Sequence, residues 1–208
     1  MQSDRPAEPG TYEAVRHRFS VFLRGLDAGQ WHFPVQATPA WDVHDVVAHL
    51  VGLAADLNAQ RFPADDDTGG ARWNARQIQA RHHATPADLL AEWDVEGPVF
   101  DAGLRLFGRE TETHFVGDLV THVLDVADAL RMEIELCDEA IATALEHYES
   151  FVAERLAAQG LTMPPGVVAL APRTRLRLLS ARLPLWVAPG ADLLASVYDG
   201  TAYSFPTG

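Results

Sequence analysis

Apolar residues recur at helical spacing through most of the chain. In residues 11 to 26, Val15, Phe19, Phe22, Leu23 and Leu26 share one face, predicting an amphipathic helix that stops before Gly29. Residues 30 to 40 read as a crossing loop with Trp31, Phe33 and Pro34. A second helix is predicted from Asp42 to about Asn58. There Val46, His49, Leu50, Leu53 and Leu57 lie on one stripe, which places His49 on the buried face. Asp42 is the expected N-cap, with Asp45 three residues on in the manner of a capping box. After a polar loop at 61 to 71, a short helix is expected at 73 to 82. Thr85 and Pro86 then open a third long helix carrying Leu89, Leu90, Trp93, Val99 and Leu104. Gly97-Pro98 should kink or break it. A fourth helix is predicted at about 112 to 131. A fifth, at about 138 to 158, carries Ile141, Leu145, Tyr148, Phe151, Val152 and Leu156.

After Gly160 the texture changes. Pro164, Pro165, Gly166 and Pro172 read as a linker. Short strands are expected at 175–179, 183–187, 193–198 and 202–205, set apart by Pro184, Pro189-Gly190 and Asp199-Gly200. The expected organisation is a helical bundle over residues 1–160 and a small strand-containing module over 161–208, packed on the bundle.

With 208 residues, 48% of them hydrophobic, the chain can build one compact core. No apolar run reaches transmembrane length, and the N-terminal residues lack the apolar stretch of a secretory signal, so a cytoplasmic location is expected. A net charge of -13 disfavours nucleic acid and anionic membrane as partners. The one cysteine, Cys137, allows neither an intrachain disulfide nor a multi-cysteine zinc knuckle, and acidic neighbours make it a poor nucleophile. Any bound metal must therefore be held by imidazoles and carboxylates. Every basic side chain is Arg, with no Lys, a bias expected of a GC-rich genome.

The fourth helix carries that chemistry. Asp118 and His122 are four residues apart and stack on one helical face, where they can chelate one ion. Asp125, three beyond His122, is placed to accept the second N–H of that imidazole. His49 supplies a third donor from another helix. Two neutral imidazoles and a carboxylate suit zinc first, with nickel or ferrous iron as alternatives, and leave coordination positions open. Each feature also has an ordinary reading. An Asp-x-x-x-His pair is often a solvated polar pair, and a buried His is often a satisfied core residue. His114, four before Asp118, is an alternative ligand that would close the site. His44 is expected to be exposed at the first turn of its helix. Arg76 and Arg81, in a basic and aromatic stretch with Trp73, are candidate anchors for a carboxylate-bearing cofactor or substrate.

Two segments resemble a known family. Residues 41 to 50, from Trp41-Asp42 through His49-Leu50, are similar to the signature of the DinB-like superfamily. Residues 118 to 130, with Asp118, His122 and Asp125, are similar to a stretch of its mycothiol-dependent maleylpyruvate isomerase group. The resemblance covers roughly residues 11 to 160, and more loosely the tail. It implies a mainly α fold, a DinB-like four-helix bundle of the up-down-down-up type with a small C-terminal α/β or β module. It also implies His49, Asp118 and His122 as metal ligands, with mycothiol as the thiol cofactor and a small electrophile as substrate. Asp118 departs from the family's usual Glu and is one methylene shorter. The implied chemistry is isomerase or S-transferase activity through a thiol whose pKa the metal lowers. Two other classes stay open: a metal-binding bundle without catalysis, acting in small-molecule binding or stress response, and a biosynthetic enzyme using the metal as a Lewis acid without thiol. The chain is expected to be a monomer or a homodimer.

Overall fold

The computed structural model describes residues 10–67, 70–198 and 205–206. In chain order its α-helices are α1 (Thr11–Arg24), α2 (Val43–Asn58), α3 (Ala71–Arg81), α4 (Pro86–Leu104), α5 (Arg109–Leu130), α6 (Asp138–Ala157), α7 (Pro165–Val168) and α8 (Pro172–Leu179). Helices α1 and α2 each pack against both α4 and α5, so these four enclose the central core. Phe19, Leu50, Trp93 and Leu119 are fully buried in it, one from each helix. Helix α3 lies on α2, α6 lies against α5 and α1, and α8 covers α6. The fold is the mainly α, DinB-like bundle that the periodicity and the resemblance predict. Among the described residues, no helix is long and apolar enough to cross a membrane.

Local chemistry fixes the helix starts. Asp42 accepts the Asp45 N–H at 2.9 Å, and Asp45 accepts the Asp42 N–H at 3.3 Å, closing the capping box of α2. Thr85 and Asp88 do the same for α4, with Pro86 in its first turn. For α3 the cap comes from outside the helix. Buried Asp67 accepts the Arg72 N–H at 3.0 Å and the Trp73 N–H at 2.8 Å. The loop between α1 and α2 is pinned by Val35 N–H to Trp41 O at 3.0 Å and Val43 N–H to Phe33 O at 3.1 Å, which fixes where Trp41 stands.

Three expectations are corrected. Helix α4 continues through Gly97-Pro98, so the break that the pair could have caused does not occur. The Arg16 guanidinium lies against Gly97, where a Cβ would stand 2.7 Å from Arg16 Nε, and it binds Asp101 at 2.5 Å one turn on. This buried pair holds the helix to α1 beyond the proline, and packing outweighs the lost backbone hydrogen bond. The strands expected after residue 160 are absent among the described residues. Residues 175–179 belong to α8, while Leu185–Val187 and Ala191–Val197 are 3₁₀ turns. Leu176 and Leu178 fit the local alternation while Leu176 and Leu179 fit a helical spacing, and packing on α6 selects the helix. Ala191, Leu194 and Val197 are buried at three-residue spacing, the repeat of a 3₁₀ turn. The strand expected at 202–205 lies outside the described residues except for Phe205. Finally, His44 is buried, its Nε2 paired with Ala84 O at 2.8 Å, because the start of α4 closes over it.

Candidate metal centre

The stripe of α2 that carries Val46, Leu50 and Leu53 into the core carries His49 with it, 2% exposed. The inward face of α5 presents His122, and Asp118 one turn earlier. His49 Nε2 lies 3.5 Å from Asp118 Oδ2, and His122 Nε2 lies 3.6 Å from Asp118 Oδ1. The short acid thus sits between the two rings, with one oxygen toward each. A donor atom from each of the three residues falls within 4.8 Å of the others.

These spacings fit an ion site. They are longer than good N–H···O bonds. Two donors bound at about 2.0–2.1 Å to one tetrahedral ion stand about 3.4 Å apart, which is the spacing seen. Asp118 Oδ2 is shielded from solvent and has no hydrogen-bond partner among the described residues. A buried carboxylate oxygen left this way is costly unless a cation completes it. The donor set and the orphaned oxygen both fit a divalent ion. Burial works against the charge of Asp118, but the His122 and His49 rings in their protonated form outweigh it and hold the carboxyl well below the usual range.

Behind each imidazole stands an acceptor. His122 Nδ1 faces Asp125 Oδ2 at 3.5 Å, the contact expected from the sequence. Asp125 in turn accepts from Arg182, from Nε at 3.2 Å and from Nη2 at 2.9 Å. Burial would raise the Asp125 pKa, but Arg182 and His122 outweigh it and keep it lowered. His49 Nδ1 meets Gln77 Oε1 at 2.9 Å. Neither Arg182 nor Gln77 was marked by motif spacing. Both come from segments far along the chain from the residue they support, and only the packing of α3 and of the tail brings them in.

Trp41 covers the centre, its ring centroid 5.3 Å from that of His49 and 5.9 Å from that of His122. Tyr12 is buried, and its hydroxyl has no partner among the described residues. Burial first, then the charges of Asp118 and Asp101, drive its pKa far above the ordinary value. A cavity of about 440 Å³ shares Asp125 and Arg182 with this region and is also lined by Gln36, Arg177 and Phe205. A larger one, about 850 Å³, lies between α1 and the loop after α5 and contains none of the three donors.

The other sequence candidates sit elsewhere. His114 is exposed, packs edge-on to His147 and lies outside the three-donor group. Arg81 is committed to Glu92, with Nε at 2.9 Å and Nη2 at 2.5 Å from its carboxylate, and so ties α3 to α4. Arg76 is exposed on α3.

No curated protein and no solved structure matches the chain. The family model of the mycothiol maleylpyruvate isomerase N-terminal domain matches residues 12–134, from α1 through the loop after α5, a span that holds all three donors together with Gln77 and Asp125. On that match over more than half its length, the chain belongs to the mycothiol maleylpyruvate isomerase N-terminal domain family.

Proposed function

We propose that the protein is a divalent-metal-dependent enzyme that uses a low-molecular-weight thiol, mycothiol, on a small electrophilic substrate, as an isomerase or S-transferase of the maleylpyruvate isomerase type. The observation that carries this reading is the convergence of His49, Asp118 and His122 on one point with a carboxylate oxygen left unpaired, in a chain of this family. These three residues would hold the ion, zinc in preference to nickel or ferrous iron, because two imidazoles and one carboxylate form a common open zinc set. A bound ion of this kind lowers the pKa of a thiol or water at its open position, so that a nucleophile exists at neutral pH.

The chain's own residues prepare that position. His49 and His122 present Nε2 toward Asp118; Gln77 holds His49 Nδ1 at 2.9 Å, and Asp125 faces His122 Nδ1 at 3.5 Å. Asp118 keeps its charge in a site that its surroundings desolvate. Trp41 lies over both rings and excludes water from one side. In the isomerase version the thiol sulfur adds to a conjugated double bond and leaves after rotation, regenerating the thiol. In the transferase version the carbon–sulfur bond is kept. The three donors leave a position open, since no fourth residue joins the group among those described, and this favours catalysis over a closed structural site. We place the activity in the cytoplasm and the helical unit at residues 1–160, with 161–208 as the module packed on it.

Thermal denaturation of the metal-loaded protein tests the thiol. Mycothiol should raise the Tm of the wild type and leave Asp118→Ala unmoved. No response to mycothiol or any other small thiol would overturn the thiol role and favour a Lewis-acid enzyme or a binding protein.

A further inference from the structure

We infer that Gln77, in α3, is a positioning residue that selects the tautomer of His49. Its amide is fully buried, 1% exposed, and its two ends have different partners. The Asp56 carboxylate can only accept, so it takes the Gln77 Nε2–H, at 3.3 Å. Asp56 is itself held by Arg61, whose Nε donates to its other oxygen at 2.8 Å. This leaves Gln77 Oε1 for His49 Nδ1, at 2.9 Å. A carbonyl oxygen can only accept, so Nδ1 carries the proton. Asp118 Oδ2, the acceptor on the other side of the ring, stands farther off at 3.5 Å, so in the neutral ring Nε2 holds the lone pair. Donation runs from His49 to Gln77 to Asp56, where it meets the donation of Arg61 from the other side.

This is more than a buried amide finding a partner. His122 has a different chemical group, the Asp125 carboxylate, in the equivalent place, again an acceptor behind Nδ1. Both rings are therefore backed by acceptor-only atoms, which is what two Nε2 donors require. The approach of α3 depends on Gly52 of α2, where a Cβ would stand 2.6 Å from Gln77 Cβ and 2.8 Å from Arg81 Nη1. Glycine at this point lets Gln77 reach His49. The consequence for affinity rests on the metal reading above; the consequence for the tautomer does not.

The test uses ¹⁵N-labelled, metal-free protein at a pH above the titration of the ring. The His49 nitrogen shifts should report the Nδ1–H tautomer in the wild type and the Nε2–H tautomer in Gln77→Leu. In competition with a chromogenic chelator, Gln77→Leu should bind zinc on the order of 10–100-fold more weakly. The double variant Gln77→Glu, Asp56→Asn restores an acceptor toward His49 and a donor toward that acceptor, and should return both readouts to near wild type. An unchanged tautomer, or unchanged zinc affinity, in Gln77→Leu overturns the inference. If Gln77→Leu does not fold, the double variant decides, and an Nε2–H ring there overturns it. A wild type that binds no zinc overturns the metal reading instead, while the tautomer measurement still decides the role of Gln77.

Discussion

Asp118 places one carboxylate oxygen toward each imidazole, and this arrangement uses the shorter acid well: the carboxylate stays close to α5 while reaching His49 on α2. His122, Asp118 and Asp125 were legible because one helix fixes their spacing, and His49 because its stripe is apolar. Gln77 and Arg182 were not legible. Their contacts with the centre depend on tertiary packing, and a lone Gln or Arg carries no periodic signal. Below the centre, His147 packs against Gly117, and burial first, then His114, pushes its imidazole down to about 4. The unfolded chain binds that proton near the ordinary value of 6.5. Between those values the unfolded state holds more protons, so stability rises with pH across the window and is lost as pH falls from about 6.5 toward 4. Urea denaturation over this range should show a shallower loss in His147→Gln than in the wild type; equal slopes would contradict the assignment.

Helix ends and interiors carry the next set of consequences. The capping boxes of α2 and α4 were readable from Asp42, Asp45, Thr85 and Pro86, because a cap is a local pattern. Replacing Asp42 or Thr85 by Ala should cost about 1 kcal/mol each in urea denaturation. Asp42→Ala should also loosen the start of the helix that carries His49. Pro98 shows where local rules lose. It sits exposed inside α4, and its helix persists because Arg16 and Asp101 secure the following turn to α1. Pro98→Ala restores a backbone donor and should stabilise the protein by about 1–3 kcal/mol. A loss of stability would show that the helix is shaped around the proline. The tail misled for a related reason. Short runs such as residues 175–179 satisfy both the two-residue and the helical period, and the surface of α6 makes the choice.

At the scale of the whole molecule, the tail is joined to the bundle by one continuous apolar core and by a buried ion pair. Leu176, Leu178, Leu179 and Leu194 belong to the same cluster as Phe19 and Leu119. Arg182 reaches from the tail to Asp125, with both side chains almost wholly buried. Arg182→Met leaves that carboxylate without its cation and should destabilise the protein by about 3–5 kcal/mol. It should also weaken metal binding through His122. Unchanged stability would mean that Asp125 finds another partner. The claim on which function depends is that His49, Asp118 and His122 together hold one divalent ion. Elemental analysis of protein purified without chelators tests it most directly. The wild type should carry about one equivalent of zinc or a similar ion per chain, and His49→Ala and Asp118→Ala should carry almost none. A folded wild type that stays metal-free after incubation with zinc, or variants that retain the full equivalent, would contradict it.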